Sequence, residues 1–172
     1  MEEKRSFGIK KIFIISFILS SISISSSFSH PLQNKKAPYI ALQDGDGKLH
    51  QLDEKIKEAN LVILTFFSKD CVECKKEVPV FNRINKAYKE KKVLILWILV
   101  GENEKKTKKL KEEWGIEFTV LADKFGEAAM DYATGTHFPQ TFFIDKNGII
   151  REHKFGGFTE KELEEKIKEG LR

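Results

Sequence analysis

At 172 residues the chain has room for one domain with a substantial core but not for two ordinary ones, and 41% apolar residues with 14 Phe exclude a disordered polymer. Charged residues make up 33%, with 30 Lys and Arg against 26 Asp and Glu. The resulting net charge of +4 is spread along the chain, which excludes the concentrated basic stripe of a nucleic-acid-binding surface.

The first 29 residues differ from the rest. Lys4, Arg5, Lys10 and Lys11 precede an apolar run, Ile12 to Leu19, which continues as a Ser/Ile alternation to Phe28 and breaks at His30-Pro31. This reads as an export signal, with the small residues Ser27 and Ser29 at the cleavage position. The competing reading is an uncleaved membrane anchor, because residues 12–28 border on spanning length. Either reading places the folded part outside the cytoplasm, in the periplasm or an equivalent extracytoplasmic space. The segment holds +2 of the net charge, so the exported remainder is nearly neutral.

Residues 30–38, with Pro31 and Pro38 among polar residues, read as a linker into a domain covering 39–172. Tyr39–Gln43 and Lys48–Leu52 are short strands around Asp44-Gly45-Asp46-Gly47, a hairpin turn in which glycine tolerates positive φ. A calcium loop is excluded there, since Lys48 and Lys55 occupy the fifth and twelfth ligand positions. Leu61–Phe67 and Val93–Val100 are continuous apolar, β-rich runs, the pattern of strands covered on both faces. Between them Val78, Phe81, Ile84 and Tyr88 recur at helical spacing, so strand, helix and strand form a right-handed parallel crossover. Pro79 lies inside that helix, and the pattern continues past it.

Glu102–Trp114 reads as a charged helix, Glu117–Ala122 as a strand and Lys124–Tyr132 as a third helix. Thr141–Asp145, the turn Lys146-Asn147-Gly148 and Ile149–Lys154 form an antiparallel pair. Thr159 with Glu162 is a capping box opening a last helix with an apolar stripe of Leu163, Ile167 and Leu171.

The chemistry centres on Cys71-Val72-Glu73-Cys74, where the first buried strand hands over to the crossover helix. A thiol at a helix N-terminus meets unpaired N–H groups and the positive end of the helix dipole, which favour the thiolate. Two intervening residues bring the second sulfur onto the same face one turn later, within reach of a mixed disulfide. Cys71 is therefore read as the nucleophile and Cys74 as the resolving thiol. A zinc site is disfavoured, because there are only two Cys and His30, His50, His137 and His153 lack the usual ligand spacing. A purely structural disulfide closing so small a loop would constrain the unfolded chain little.

Phe66 to Pro79 resembles the active-site segment of the thioredoxin superfamily, specifically its exported TlpA/ResA-like branch, and Phe138-Pro139-Gln140-Thr141-Phe142-Phe143-Ile144-Asp145-Lys146-Asn147-Gly148 resembles that family's cis-proline loop and following strand. The resemblance runs from about Ala37 to the C-terminus, including the leading hairpin and an added segment near Gly115–Thr134. It implies a thioredoxin-like α/β fold: a central mixed sheet flanked by helices, with an N-terminal β-hairpin and a central insertion. It also implies that Pro139 is a cis-proline beside the disulfide, and that Glu77 is an acidic residue exchanging protons near Cys74. Spacing alone reads Glu77 as a solvated helix residue like Glu73 and Glu90.

Two positions depart from the branch. Asp70 stands where a large apolar residue, often Trp, precedes the first Cys, and Glu73 stands where many members have Pro. Two carboxylates beside the sulfur oppose thiolate formation, which fits a reductant rather than a strong oxidant, although Lys69, Lys75 and Lys76 lie close by. The implied activity is thiol–disulfide exchange without a cofactor by a monomer. Its implied partners are a protein disulfide substrate, with apocytochrome c haem-site cysteines as one candidate, and a membrane donor of thiol reducing equivalents. The alternative from a different class is a cuprous-ion chaperone using Cys71, Cys74 and His137, since soft thiolates suit that ion. A peroxidase of the Thr-x-x-Cys type is a weak reading, because residues 68–71 are Ser-Lys-Asp-Cys.

Overall fold

The computed structural model describes residues 30–172, so the expected export signal or anchor at 1–29 lies outside the described residues. The elements in chain order are β1 (Ala41–Gln43), β2 (Leu49–Gln51), α1 (Leu52–Glu58), β3 (Leu61–Phe67), α2 (Val72–Ala87), β4 (Val93–Val100), α3 (Glu104–Trp114), β5 (Thr119–Asp123), α4 (Glu127–Asp131), β6 (Gln140–Asp145), β7 (Ile150–Phe155) and α5 (Glu160–Gly170). β1 and β2 pair as a separate antiparallel hairpin. The main sheet has the order β5-β4-β3-β6-β7, with β3, β4 and β5 parallel and β6 and β7 antiparallel.

The period-2 alternation of the apolar strands divides their side chains between two cores. Leu61, Ile63 and Phe67 of β3, with Ile95, Trp97 and Leu99 of β4, face α2, α3 and α5. Val62, Leu64 and Phe66, with Leu96 and Ile98, face α1, α4 and Tyr132. Every residue of β3 is buried, which is why its sequence shows no polar face. The helix stripe Val78, Phe81 and Ile84 lies in the first core, and α2 runs on through Pro79. α5 opens on the expected capping box, with Thr159 and Glu162 each satisfying the other's backbone N–H.

The N-terminal part differs from the sequence reading in two places. Leu52, read as the last residue of a strand, instead opens a helix, Leu52–Glu58, that the sequence reading did not include; only Leu52 and Ile56 mark its inward face. Residues 30–38, read as a linker, are instead held against the sheet. Asn34 N–H donates to Ile150 O at 2.7 Å, Ile150 N–H to Lys35 O at 2.9 Å and Ala37 N–H to Gly148 O at 2.8 Å. Leu32 and Ala37 pack on the second core, and the His30 ring lies against Phe142 and His153. The physical reason is the edge of β7, whose outward backbone groups would otherwise be unpaired; this strap satisfies both groups of Ile150, where the strand begins.

Candidate functional site

The site forms where β3 ends and α2 begins. Cys71 is the N-cap of α2, with extended backbone, and its sulfur accepts the Cys74 N–H at 3.2 Å. Cys71 and Cys74 are joined as a disulfide, with their Cα atoms 5.3 Å apart. The two sulfurs have unequal access. Cys71 is half-buried, whereas Cys74 is 0% exposed and belongs to the core with Val78 and Phe81. An incoming thiol or disulfide therefore meets Cys71, and chemistry at Cys74 takes place out of water.

The cis-proline loop reaches the same end of the sheet. β6 pairs antiparallel with β3 so that Gln140 faces Phe66, which brings Pro139 to the C-terminal end of β3 and the start of α2. The Phe138–Pro139 bond is cis. Gln140 anchors the loop from below, its side-chain amide donating to the carbonyls of Thr134 and His137 while its carbonyl oxygen meets His153 Nε2 at 2.9 Å.

Glu77 is not the solvated helix residue that spacing alone suggests. It is 6% exposed, and its Oε1 accepts the Phe158 N–H at 2.5 Å. Burial pushes its carboxyl up to about 7; the Phe158 N–H and the Lys154 ammonium work against that rise, and Glu73 adds to it. Gly157 eases the approach, since a Cβ there would lie 3.2 Å from Glu77 Oε1, closer than ordinary contact. Glu77 thus stands three residues after Cys74 on α2, and both side chains are buried.

The flanking charges are largely engaged. Glu73 is exposed and paired with Lys76 at 2.7 Å. Lys69 reaches the nearly buried Glu102 at 3.1 Å, and Lys106 meets the same carboxylate at 2.7 Å. Asp70 is exposed, and Val72 between the cysteines is 66% exposed, so the surface beside the disulfide mixes a charge with an apolar side chain. His137 is also exposed, near Phe155, and among the described residues no group of three or more His, Cys, Asp or Glu is arranged to hold a metal ion. The copper alternative gains nothing from this geometry. Sequence reasoning missed Lys154, Gly157 and Phe158, which shape the Glu77 environment from about 80 positions away with no local signal.

Residues 33–153 match the AhpC/TSA family. The thiol-disulfide oxidoreductase ResA of Geobacillus kaustophilus (strain HTA426) is 32% identical over 128 residues, covering 74% of this chain and 72% of the relative. The ResA of Bacillus thuringiensis (strain Al Hakam) is 32% identical over 134 residues, covering 78% and 76%. Among solved structures, a Chlorobium tepidum protein with the provisional name thiol:disulfide interchange protein DsbE superposes with a TM-score of 0.73. It is 26% identical and covers 81% of this chain and 98% of its own. The thioredoxin-like sheet, the Cys71–Cys74 pair at the start of α2 and these relatives agree: the chain belongs to the AhpC/TSA family, as a ResA-like thiol–disulfide oxidoreductase.

Proposed function

We propose that this protein reduces protein disulfides outside the cytoplasm, with Cys71 as nucleophile, Cys74 as resolving thiol and Glu77 as the acid–base group of the resolving step. The observation that carries this reading is the asymmetry of the pair: a half-buried Cys71 at a helix N-terminus, and a fully buried Cys74 with a buried carboxyl three residues on.

In the reduced protein the Cys71 thiolate, favoured by the α2 N-terminus, attacks one sulfur of a substrate disulfide. A bond forms between Cys71 and that sulfur, and the other substrate sulfur leaves as a thiolate that takes a proton from water. Glu77 then accepts the proton of Cys74, whose thiolate attacks Cys71. The intramolecular disulfide forms, the second substrate thiolate departs, and the substrate has gained two electrons. A dithiol donor returns the pair to the reduced state by the same exchange in reverse. Pro139 holds the neighbouring backbone where an extended substrate segment can lie beside Cys71.

The basic and apolar pattern of residues 1–29 supports an extracytoplasmic location, with a membrane-embedded dithiol donor as the source of electrons. The substrate is a protein disulfide, and apocytochrome c haem-site cysteines are one candidate. Cys74→Ser tests the roles: without a resolving thiol, the variant should accumulate a mixed disulfide through Cys71, and mass spectrometry of the trapped species identifies the partner. Trapping by Cys71→Ser instead would invert the two roles.

A further inference from the structure

Glu77 is buried, as is Cys74 three residues before it on α2, and it lines a groove of about 400 Å³ between α2, the end of β7 and the start of α5. The charged groups facing this groove come from all three elements: Glu73 and Lys76 from α2, Lys154 from β7 and Glu162 from α5. Glu73 and Lys76 neutralise one another at 2.7 Å. Glu162 is engaged in capping, accepting from Thr159 N–H at 2.8 Å and Thr159 Oγ1 at 2.9 Å. Lys154 is the cation of this set whose partner is loosest, 3.5 Å from Glu162. Its ammonium is held 4.5 Å above the ring of Phe158, the residue whose N–H binds Glu77.

We propose that Lys154 is a positioning residue for Glu77: its ammonium, clamped over Phe158, borders the groove that Glu77 lines, and that groove is the path by which the proton taken from Cys74 returns to solvent. This deepens the reading of Glu77 given above and rests on it. The balance is simple. Cys74 S–H and the Glu77 carboxylate become a Cys74 thiolate and a neutral Glu77 carboxyl; once the disulfide has formed, the carboxyl gives its proton to water in the groove. An ammonium facing that groove favours the second transfer and raises the fraction of Glu77 ready for the first.

The test measures, across pH, the rate at which the full-length protein releases a peptide thiol from a preformed Cys71–peptide mixed disulfide. Lys154→Met should move the Glu77-dependent inflection up by about half to one pH unit, Lys154→Gln should do the same, and Lys154→Arg should restore it. In a Glu77→Gln background the Lys154→Met shift should disappear. An unmoved inflection in Lys154→Met, or a shift that persists without the Glu77 carboxyl, overturns the role of Lys154 while leaving Glu77 in place. A Glu77→Gln profile identical to the parent's would instead remove the reading of Glu77 and this proposal with it.

Discussion

Two residues with displaced titration act in opposite directions on stability. Glu77 ordinarily loses its proton near 4.5 but keeps it to about 7 in the folded chain, because burial disfavours the charge. Between those values the folded state holds a proton that the unfolded state has released, so stability falls as pH rises through this window, by about 3 kcal/mol in all. His153 is pushed down to about 4, chiefly by burial and secondarily by His30, whose ring lies 4.2 Å from its own. There the unfolded chain binds the extra proton, so stability falls as pH drops from about 6.5 towards 4. The two slopes oppose each other across pH 5 to 6. We predict that Glu77→Gln uncovers the His153 slope in urea titrations of the oxidised protein. Its stability relative to the parent should improve by about 3 kcal/mol between pH 4.5 and 8. Parallel curves for the two proteins would show that Glu77 titrates as a surface carboxylate.

The elements separate into those that local sequence determines and those that distant partners determine. β3 and β4 have the bounds read from sequence, because strands buried on both faces are unbroken apolar runs. α5 was legible from its capping box, and the Cys71–Cys74 site from the strand-to-helix junction that precedes it. The strap at residues 30–38 was not, since it is polar and bears proline, and what orders it is an edge strand more than 110 positions away. The burial of Glu77 was hidden for the same reason: its partner N–H belongs to Phe158, and the open space it fills belongs to Gly157. If the strap covers the β7 edge as described, a chain beginning at Ala37 should be less stable than one beginning at His30. Hydrogen bonds at Asn34 and Ile150, with the packing of Leu32, set the loss at about 2–3 kcal/mol. The shortened chain should also associate through its exposed edge. Thermal denaturation with light scattering checks both, and equal melting points would show that the strap is only a tether.

For the whole molecule, the direction of exchange depends on how well the fold stabilises the reduced pair. Cys71 stands at the N-terminus of α2, whereas Cys74 is enclosed by core side chains with the Glu77 carboxyl three residues on. Glu73, expected from sequence to oppose thiolate formation, is paired with Lys76 in water and contributes little in either direction. Strong oxidants of this chemistry owe their potential to an unusually stabilised reduced form, whereas the lysines that flank this pair, Lys69, Lys75 and Lys76, are exposed to water. The reduction potential of the Cys71–Cys74 couple is therefore the most direct test of a reductase. Equilibration of the protein with dithiothreitol or glutathione redox buffers at pH 7 should give a midpoint near the thioredoxin value of about −270 mV, and a midpoint near the DsbA value of about −120 mV would contradict the assignment by making the protein a donor of disulfides.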